Sequence, residues 1–408
     1  MLIAMVSEHA SPLAELGVVD AGGQNVHVGE LSRALAERGH EVRVYTRRTD
    51  PDEPERVRTE RGFTVVHVPA GPAHALPKDE LYQHMGEFAE WLAHDWEPDP
   101  PDLVHAHFWM SGLASVLAAR RSHIPVVQTY HALGSVKRRH QGAQDTSPAD
   151  RVDIERMIGR HVERVVATCT DELFELVRLG VPRDRVSIVP CGVDPDVFRP
   201  DGPVVRRTKA NRLLAVGRLV PRKGFDMAIA ALSAIEDTEL LIAGGPPKSR
   251  LAEDPEARRL LRCAREHGVA DRVRLLGQVN RQRMPALLRS AELVLCTPWY
   301  EPFGIVPIEA MACGTPVVAT AVGGLTDTVV DGVTGCHVPV ARPAALRAAV
   351  GALLADPARR TAMAVAGRDR VCARYSWERV AAETARVYDR VLREQADSNW
   401  PVRQMKEG

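Results

Sequence analysis

No Cys-x-x-Cys pair occurs in this sequence. Its seven cysteines, at 169, 191, 263, 296, 313, 336 and 372, are scattered and odd in number. That argues against a disulfide framework or a zinc ribbon and for a reducing compartment. Net charge is absent too: 53 basic residues balance 53 acidic ones, which speaks against a general nucleic-acid or membrane-surface binder. Nowhere do roughly 18 apolar residues run together, so no spanning helix is predicted. The opening "MLIAMVSEHASP" has an apolar run of only about six residues and no basic flank, so it reads as a buried first strand, not a signal peptide. A cytoplasmic protein is expected. There is no G-x-G-x-x-G fingerprint, no short-period repeat and no low-complexity tract.

The chain has 408 residues, too many for one ordinary core, so two domains are expected. Short β-branched runs alternate with amphipathic segments throughout. "LIAMV", "EVRVYTR", "FTVVHVP", "DLVHAH", "IPVVQTY", "RVVATC" and "VSIVPCG" are strand candidates in the first half. The rhythm restarts near residue 211 with "RLLAVG", "ELLIAGG", "RVRLLG", "ELVLCTP" and "TPVVATA". This is the βαβ alternation of parallel sheets covered by helices. Between the halves, "CGVDPDVFRPDGPVVRRTKAN" is rich in proline and charge and reads as a linker. The expectation is an α/β chain of two Rossmann-like domains facing a cleft, residues 1–192 and 193–375, with a helix and tail, 376–408.

Ligands of open parallel sheets sit outside the carboxyl ends of the strands, so the loops there matter most. In "DAGGQNVHVGEL", Gly22 and Gly23 precede a helix expected from about Asn25, a setting that suits a phosphate. "HAHFW" and "TYHALG" put His105, His107 and His131 near one sheet edge. Three histidines could bind a metal, but no carboxylate ligand pairs with them. The preferred reading makes His105 a hydrogen-bonded structural residue and gives His131 a role at the substrate. In "VGRLVPRKG", Arg218 and Lys223 sit in a strand-to-helix connection flanked by Gly217 and Gly224. Two cations there could neutralise a diphosphate without a metal.

"EPFGIVPIEAMACGTPVVAT" carries Glu301 and Glu309 with Pro302, Gly304 and Pro307 between them. The prolines and glycine keep Glu301 in a loop and place Glu309 inside a helix whose first turn accepts Pro307. The amides of Gly304, Ile305 and Val306 are then expected to face outward as a second anion-binding helix start, bracketed by acids able to grip hydroxyls. Asp194 and Asp196 spell a D-x-D, but with proline between them in the linker they read as a turn.

Taken together, "GGQNVHV", "TYHALG", "VGRLVPRKG", the E-x7-E stretch and the carboxyl-terminal helix resemble retaining glycosyltransferases of family GT4, with the GT-B fold. The resemblance covers nearly the whole chain. It implies a nucleotide-diphosphate sugar held mainly by the second domain, a small polyol acceptor held by the first, and a last helix from near Trp377 crossing back to the first domain. It implies that Arg218 and Lys223 hold the diphosphate, Glu309 the ribose and Glu301 the donor sugar. His131 would lie beside the reacting sugar, with Gly22, Gly23, Phe303, Gly304, Ile305 and Val306 around the donor.

The chain is most similar to the actinobacterial subgroup that adds N-acetylglucosamine to inositol phosphate in mycothiol synthesis. By that likeness Asn25, Lys78, Phe108, Ala132 and Arg156 are acceptor residues. Phe108 and Ala132, however, stand where the subgroup has a tyrosine and a threonine. Losing two hydroxyl donors weakens a phosphate pocket by about 1–3 kcal/mol each, which implies an unphosphorylated cyclitol or aminosugar of secondary metabolism. UDP is the nucleotide this likeness favours, with GDP the alternative; no metal is implied, and a homodimer is compatible with it. An epimerase or phosphorylase of the same fold, or a sugar-binding protein without catalysis, are the alternatives.

Overall fold

The computed structural model describes residues 1–14, 22–120 and 122–404. Asp20 and Ala21 before the glycine pair, and the end of the tail from residue 405, lie outside the described residues. The chain divides into two compact units. The first comprises Met1–Ala14, the described residues up to Pro190 and the chain from Trp377 onward; the second is Cys191–Ser376.

The first unit is built on β1 (Leu2–Val6), β2 (Glu41–Arg47), β3 (Arg56–Arg58), β4 (Thr64–Val68), β5 (Leu103–His107), β6 (Val126–Thr129), β7 (Arg164–Ala167) and β8 (Val186–Ile188). They form one sheet in the order β3-β4-β2-β1-β5-β6-β7-β8. Every pairing is parallel except β3 with β4. Sequence reading missed β3, because "RVR" at a sheet edge has no apolar run to show. The central strands are buried along their whole length, as expected of strands covered on both faces.

Strand order runs outward in opposite directions from β1 and β5, which puts a topological switch point between them. His105 and His107 are two positions apart on β5 and so share one face of the sheet. The helix Gly23–Glu37 follows β1 and begins at Gly23, two residues before the expected start.

The helix Trp377–Gln404 completes this unit. Its Trp377, Val380, Ala381, Tyr388 and Val391 are buried in one core with Ile3, Met5, Val44 and Val127 of the sheet and Leu31 and Leu35 of the first helix. Tyr388 Oη lies 2.7 Å from His105 Nδ1, and the other ring nitrogen is 2.9 Å from Thr129 Oγ1. His105 is thus the structural histidine expected, and burial pushes its pKa down to about 3.

The second unit has β9 (Asn211–Val216), β10 (Thr238–Ala243), β11 (Val273–Gly277), β12 (Leu293–Cys296), β13 (Val317–Thr320) and β14 (Gly335–Val338). They form an all-parallel sheet ordered β11-β10-β9-β12-β13-β14, so its switch point lies between β9 and β12. β14 was not read from the sequence: "GCHV" is four residues long and starts on glycine. In the linker, Asp194 Oδ1 accepts the Asp196 and Val197 amides at 2.9 and 3.2 Å, so the D-x-D is a turn. Among the described residues, no helix is long and apolar enough to cross a membrane.

The Tyr388–His105 bond is testable. Tyr388→Phe leaves a buried ring nitrogen without its partner and should cost about 1–3 kcal/mol, read as a lower urea midpoint in the full chain.

Candidate functional site

In the second unit, a pocket of about 350 Å³, counting space open to solvent, lies at the carboxyl ends of β9 and β12. Its lining includes Lys223, Thr297, Glu301, Gly304, Ile305 and Val306. Each is there for a local reason. β9 ends at Val216, and after Gly217 a short turn carries Arg222 and Lys223 before the helix Phe225–Leu232. β12 ends at Cys296, and the loop bearing Glu301 runs to Gly304, whose φ of 88° suits glycine. The helix Ile305–Ala312 starts immediately after, without a side-chain cap and with Pro307 in its first turn. The unit's switch point is therefore occupied by a cation, an acid and a helix start.

The two loops are tied to each other. Lys223 Nζ bonds Glu301 Oε2, and Arg222 Nη1 lies 3.7 Å from the same oxygen and donates to the Tyr300 carbonyl at 2.9 Å. The Trp299 amide donates to the Arg222 carbonyl at 2.9 Å, and Thr297 Oγ1 to that of Gly224 at 2.8 Å. From behind, the turn after β13 closes in. The Gly324 amide donates to the Glu301 carbonyl at 3.0 Å, and a Cβ on Gly323 would sit 2.1 Å from that same oxygen. Only a bare backbone fits.

Burial opposes ionisation of Glu301, yet Lys223, Arg222 and Arg218 hold its carboxyl below the usual range. It is an acceptor-only group. Glu309 differs: burial pushes its pKa up, and Arg281, donating to Oε1 at 2.8 Å, only partly offsets this. The structure does not bring all expected donor residues to one wall. Arg218 is exposed, and neither it nor Glu309 lines the pocket. The Phe303 ring turns inward against Tyr375, centroids 6.3 Å apart, so Phe303 presents only backbone. Arg222 and Arg281 went unread, although Arg222 adjoins the lysine of "PRKG".

In the first unit the polar residues gather after β1, β5 and β6. Phe108 and His131 leave their strands with φ of 81° and 61°, sparsely populated for residues with a Cβ and common at functional sites. The Phe108 ring is flanked by Lys78 Nζ at 3.6 Å, the Arg151 guanidinium at 5.0 Å and the His9 ring at 5.0 Å. Arg151 is fixed by Glu155 at 2.8 Å, Ser147 Oγ at 3.1 Å and the Ala132 carbonyl at 2.7 Å. Lys78, Phe108 and Ala132 are thus brought together. Arg156 is not: it pairs with Asp153 at the surface. Arg156 and Arg151 share the helix Arg151–His161, and five positions rotate a side chain by about 140°, so Arg151 holds the inward place expected for Arg156.

Gly22 and Asn25 form a closed start to their helix. The Gly22 amide donates to Asn25 Oδ1 at 3.0 Å, and Asn25 Nδ2 donates to the Ser11 carbonyl at 3.0 Å. Asn25 is buried, and its amide group secures the loop. His131 lies 2.9 Å, Nε2 to Nδ1, from His107, and burial holds both rings well below the usual imidazole pKa. The histidine whose ring nitrogen gathers with theirs is His27, which sequence reading passed over; His105, its ring 4.2 Å from that of His107, turns its nitrogens to Tyr388 and Thr129.

Comparison with known proteins follows the same division. Residues 21–197 match the family model described as Glycosyltransferase Family 4, and residues 201–370 that described as Glycosyl transferases group 1. A D-inositol 3-phosphate glycosyltransferase of Xylanimonas cellulosilytica is 40% identical over 405 residues, covering 95% of this chain and 96% of its own. Sucrose-phosphate synthase from Thermosynechococcus elongatus has a TM-score of 0.87 at 32% identity, covering 96% of this chain and 99% of its own. Anabaena HepE, solved with UDP and glucose, has a TM-score of 0.73 at 17% identity, covering 95% and 99%; that likeness concerns the fold alone.

The Glu301 ion pair has a pH signature. A carboxylate whose folded pKa is depressed contributes stability that is complete above its unfolded value, about 4.3, and fades as pH falls through the folded value. Between about pH 6 and pH 3 the wild type should therefore lose urea stability more steeply than Glu301→Gln; parallel acid limbs would contradict the depressed pKa.

Proposed function

Because this chain belongs to glycosyltransferase family 4 and is a GT-B glycosyltransferase, we propose that it moves a hexose or N-acetylhexosamine, with retention, from a UDP-sugar to a small cyclitol or aminocyclitol. The observation that carries this reading is the pocket in which Lys223 and Glu301 stand before the start of the helix Ile305–Ala312. A diphosphate is met there by positive charge and unpaired helix-start amides, and a sugar by an ionised acid.

As the bond from the anomeric carbon to the diphosphate breaks, negative charge grows on the leaving group. Lys223, Arg218 and the amides around Gly304, Ile305 and Val306 stabilise it. These groups supply the positive potential that a metal supplies elsewhere, so no step is routed through one. Glu301 accepts from the donor sugar's hydroxyls, and Glu309 from the ribose with the oxygen that Arg281 does not take. Gly22 and Gly23 let backbone approach the donor. His131, held neutral, lies beside the reacting sugar as a hydrogen-bonding group, not a cation. The acceptor hydroxyl attacks the same face and gives its proton to the departing phosphate oxygen.

Lys78, Phe108, Ala132 and Arg151 bind the acceptor, while Asn25 shapes the loop beside them. An acceptor without phosphate fits best. Arg151 already serves Glu155, Ser147 and Ala132, and Phe108 and Ala132 carry no hydroxyl. A cytoplasmic setting agrees with the absence of any disulfide among the described residues, which include all seven cysteines.

Incubation with a panel of nucleotide sugars, with inositol or inositol phosphate, followed by mass spectrometry, tests donor and acceptor together. UDP release with glycosylated inositol is expected, and strong preference for inositol phosphate would overturn the acceptor assignment. Lys223→Ala and Arg218→Ala should each lower kcat by roughly 100-fold or more with circular dichroism unchanged; near-normal rates would overturn the cradle.

A further inference from the structure

The histidine cluster of the first unit has a property that the transfer reaction does not use. One ring nitrogen from each of His27, His107 and His131 lies within 4.8 Å of those of the other two. These residues come from the helix after β1, the end of β5 and the loop after β6. Between His107 Nδ1 and His131 Nε2 the separation is 2.9 Å. Nitrogens bound tetrahedrally at about 2.0–2.1 Å from zinc stand about 3.3 Å apart, so this pair is already close to a ligating spacing.

The remaining nitrogens are arranged to favour ligation. His107 Nε2 lies 2.9 Å from Met5 Sδ. A thioether carries no proton, so the ring must donate, and the lone pair is left on Nδ1, the atom that faces His131. Met5 thus does for His107 what an outer-shell acceptor does for a metal-bound imidazole. His27 is 4% exposed, and its Nδ1 has no hydrogen-bond partner. A buried imidazole with an unanswered nitrogen beside two others asks for a shared partner. His131 is only partly buried, which leaves an approach for an ion and a fourth, open position.

We infer that His27, His107 and His131 form a binding site for a divalent transition-metal ion of the zinc class. Three neutral imidazoles without a carboxylate select such an ion over magnesium or calcium. On binding, the proton now lying between His107 and His131 moves to Nδ1 of His131, freeing both facing lone pairs. The ion then holds His131 in place. On the reading that His131 serves the reacting sugar, on which this consequence rests, bound metal inhibits transfer.

The test uses the full chain without a polyhistidine tag, stripped with chelator and dialysed against Zn2+ or Co2+. One equivalent of Zn2+ retained after desalting, and an intense visible Co2+ band of tetrahedral type, are expected. His27→Phe keeps an aromatic ring beside Trp377 and should lose both signals while its circular dichroism is unchanged. Met5→Leu should bind roughly 10-fold or more weakly. No stoichiometric retention, or retention undiminished in His27→Phe, overturns the site. Zn2+ should also inhibit the wild type reversibly but spare His27→Phe, each compared with its own metal-free rate. Stoichiometric binding without inhibition would uphold the site and overturn instead the role given to His131.

Discussion

The bond between Lys223 and Glu301 is the constraint on which the second unit's site depends. It joins the loop after β9 to the loop after β12, the two strands that flank the switch point. Each partner offsets part of the other's cost of leaving water, and Arg222 stands beside the acid as well. The surrounding contacts protect the pair: one backbone bond and the Thr297 hydroxyl link the loops, Arg222 reinforces the acid, and the glycine turn after β13 presses on its carbonyl. The result is a polar site fixed by backbone geometry, and such preorganisation is what makes electrostatic catalysis effective.

The first unit shows a different strategy. Here the polar groups are locked by neighbours of their own unit: Arg151 by Glu155, Asn25 by Gly22 and Ser11, His105 by Tyr388. Phe108 and His131 accept left-handed backbone, a local strain that the surrounding packing must support. What results is a buried ring edged by cations, beside a partly buried imidazole.

Much of this was legible in the sequence, and the limits have physical causes. Parallel strands buried on both faces print continuous apolar runs, so the central strands could be read; β3 and β14, short and at sheet edges, could not. Strand-end residues such as Lys223, Glu301 and His131 were legible because position and residue type agreed. Pairings across the fold were not: nothing in "NRQRM" announces that Arg281 meets Glu309, and nothing in "NVHV" that His27 meets His107. That Arg156 lies at the surface and Arg151 is buried was not legible, because a helix's inward face cannot be phased from a short, charged segment. Phe303 follows the same lesson, since its neighbour in sequence is a site residue while its ring belongs to the core.

The helix from Trp377 also sets a schedule. Its tryptophan and tyrosine fill a core whose other walls are made near the amino terminus, while the second unit is continuous from Cys191 to Ser376. As the chain leaves the ribosome, the later-made unit therefore has all its parts before the earlier-made one does. The first unit's sheet must wait, with an apolar face unfilled, until the helix from Trp377 has been made, and that interval is when a chaperone would find it.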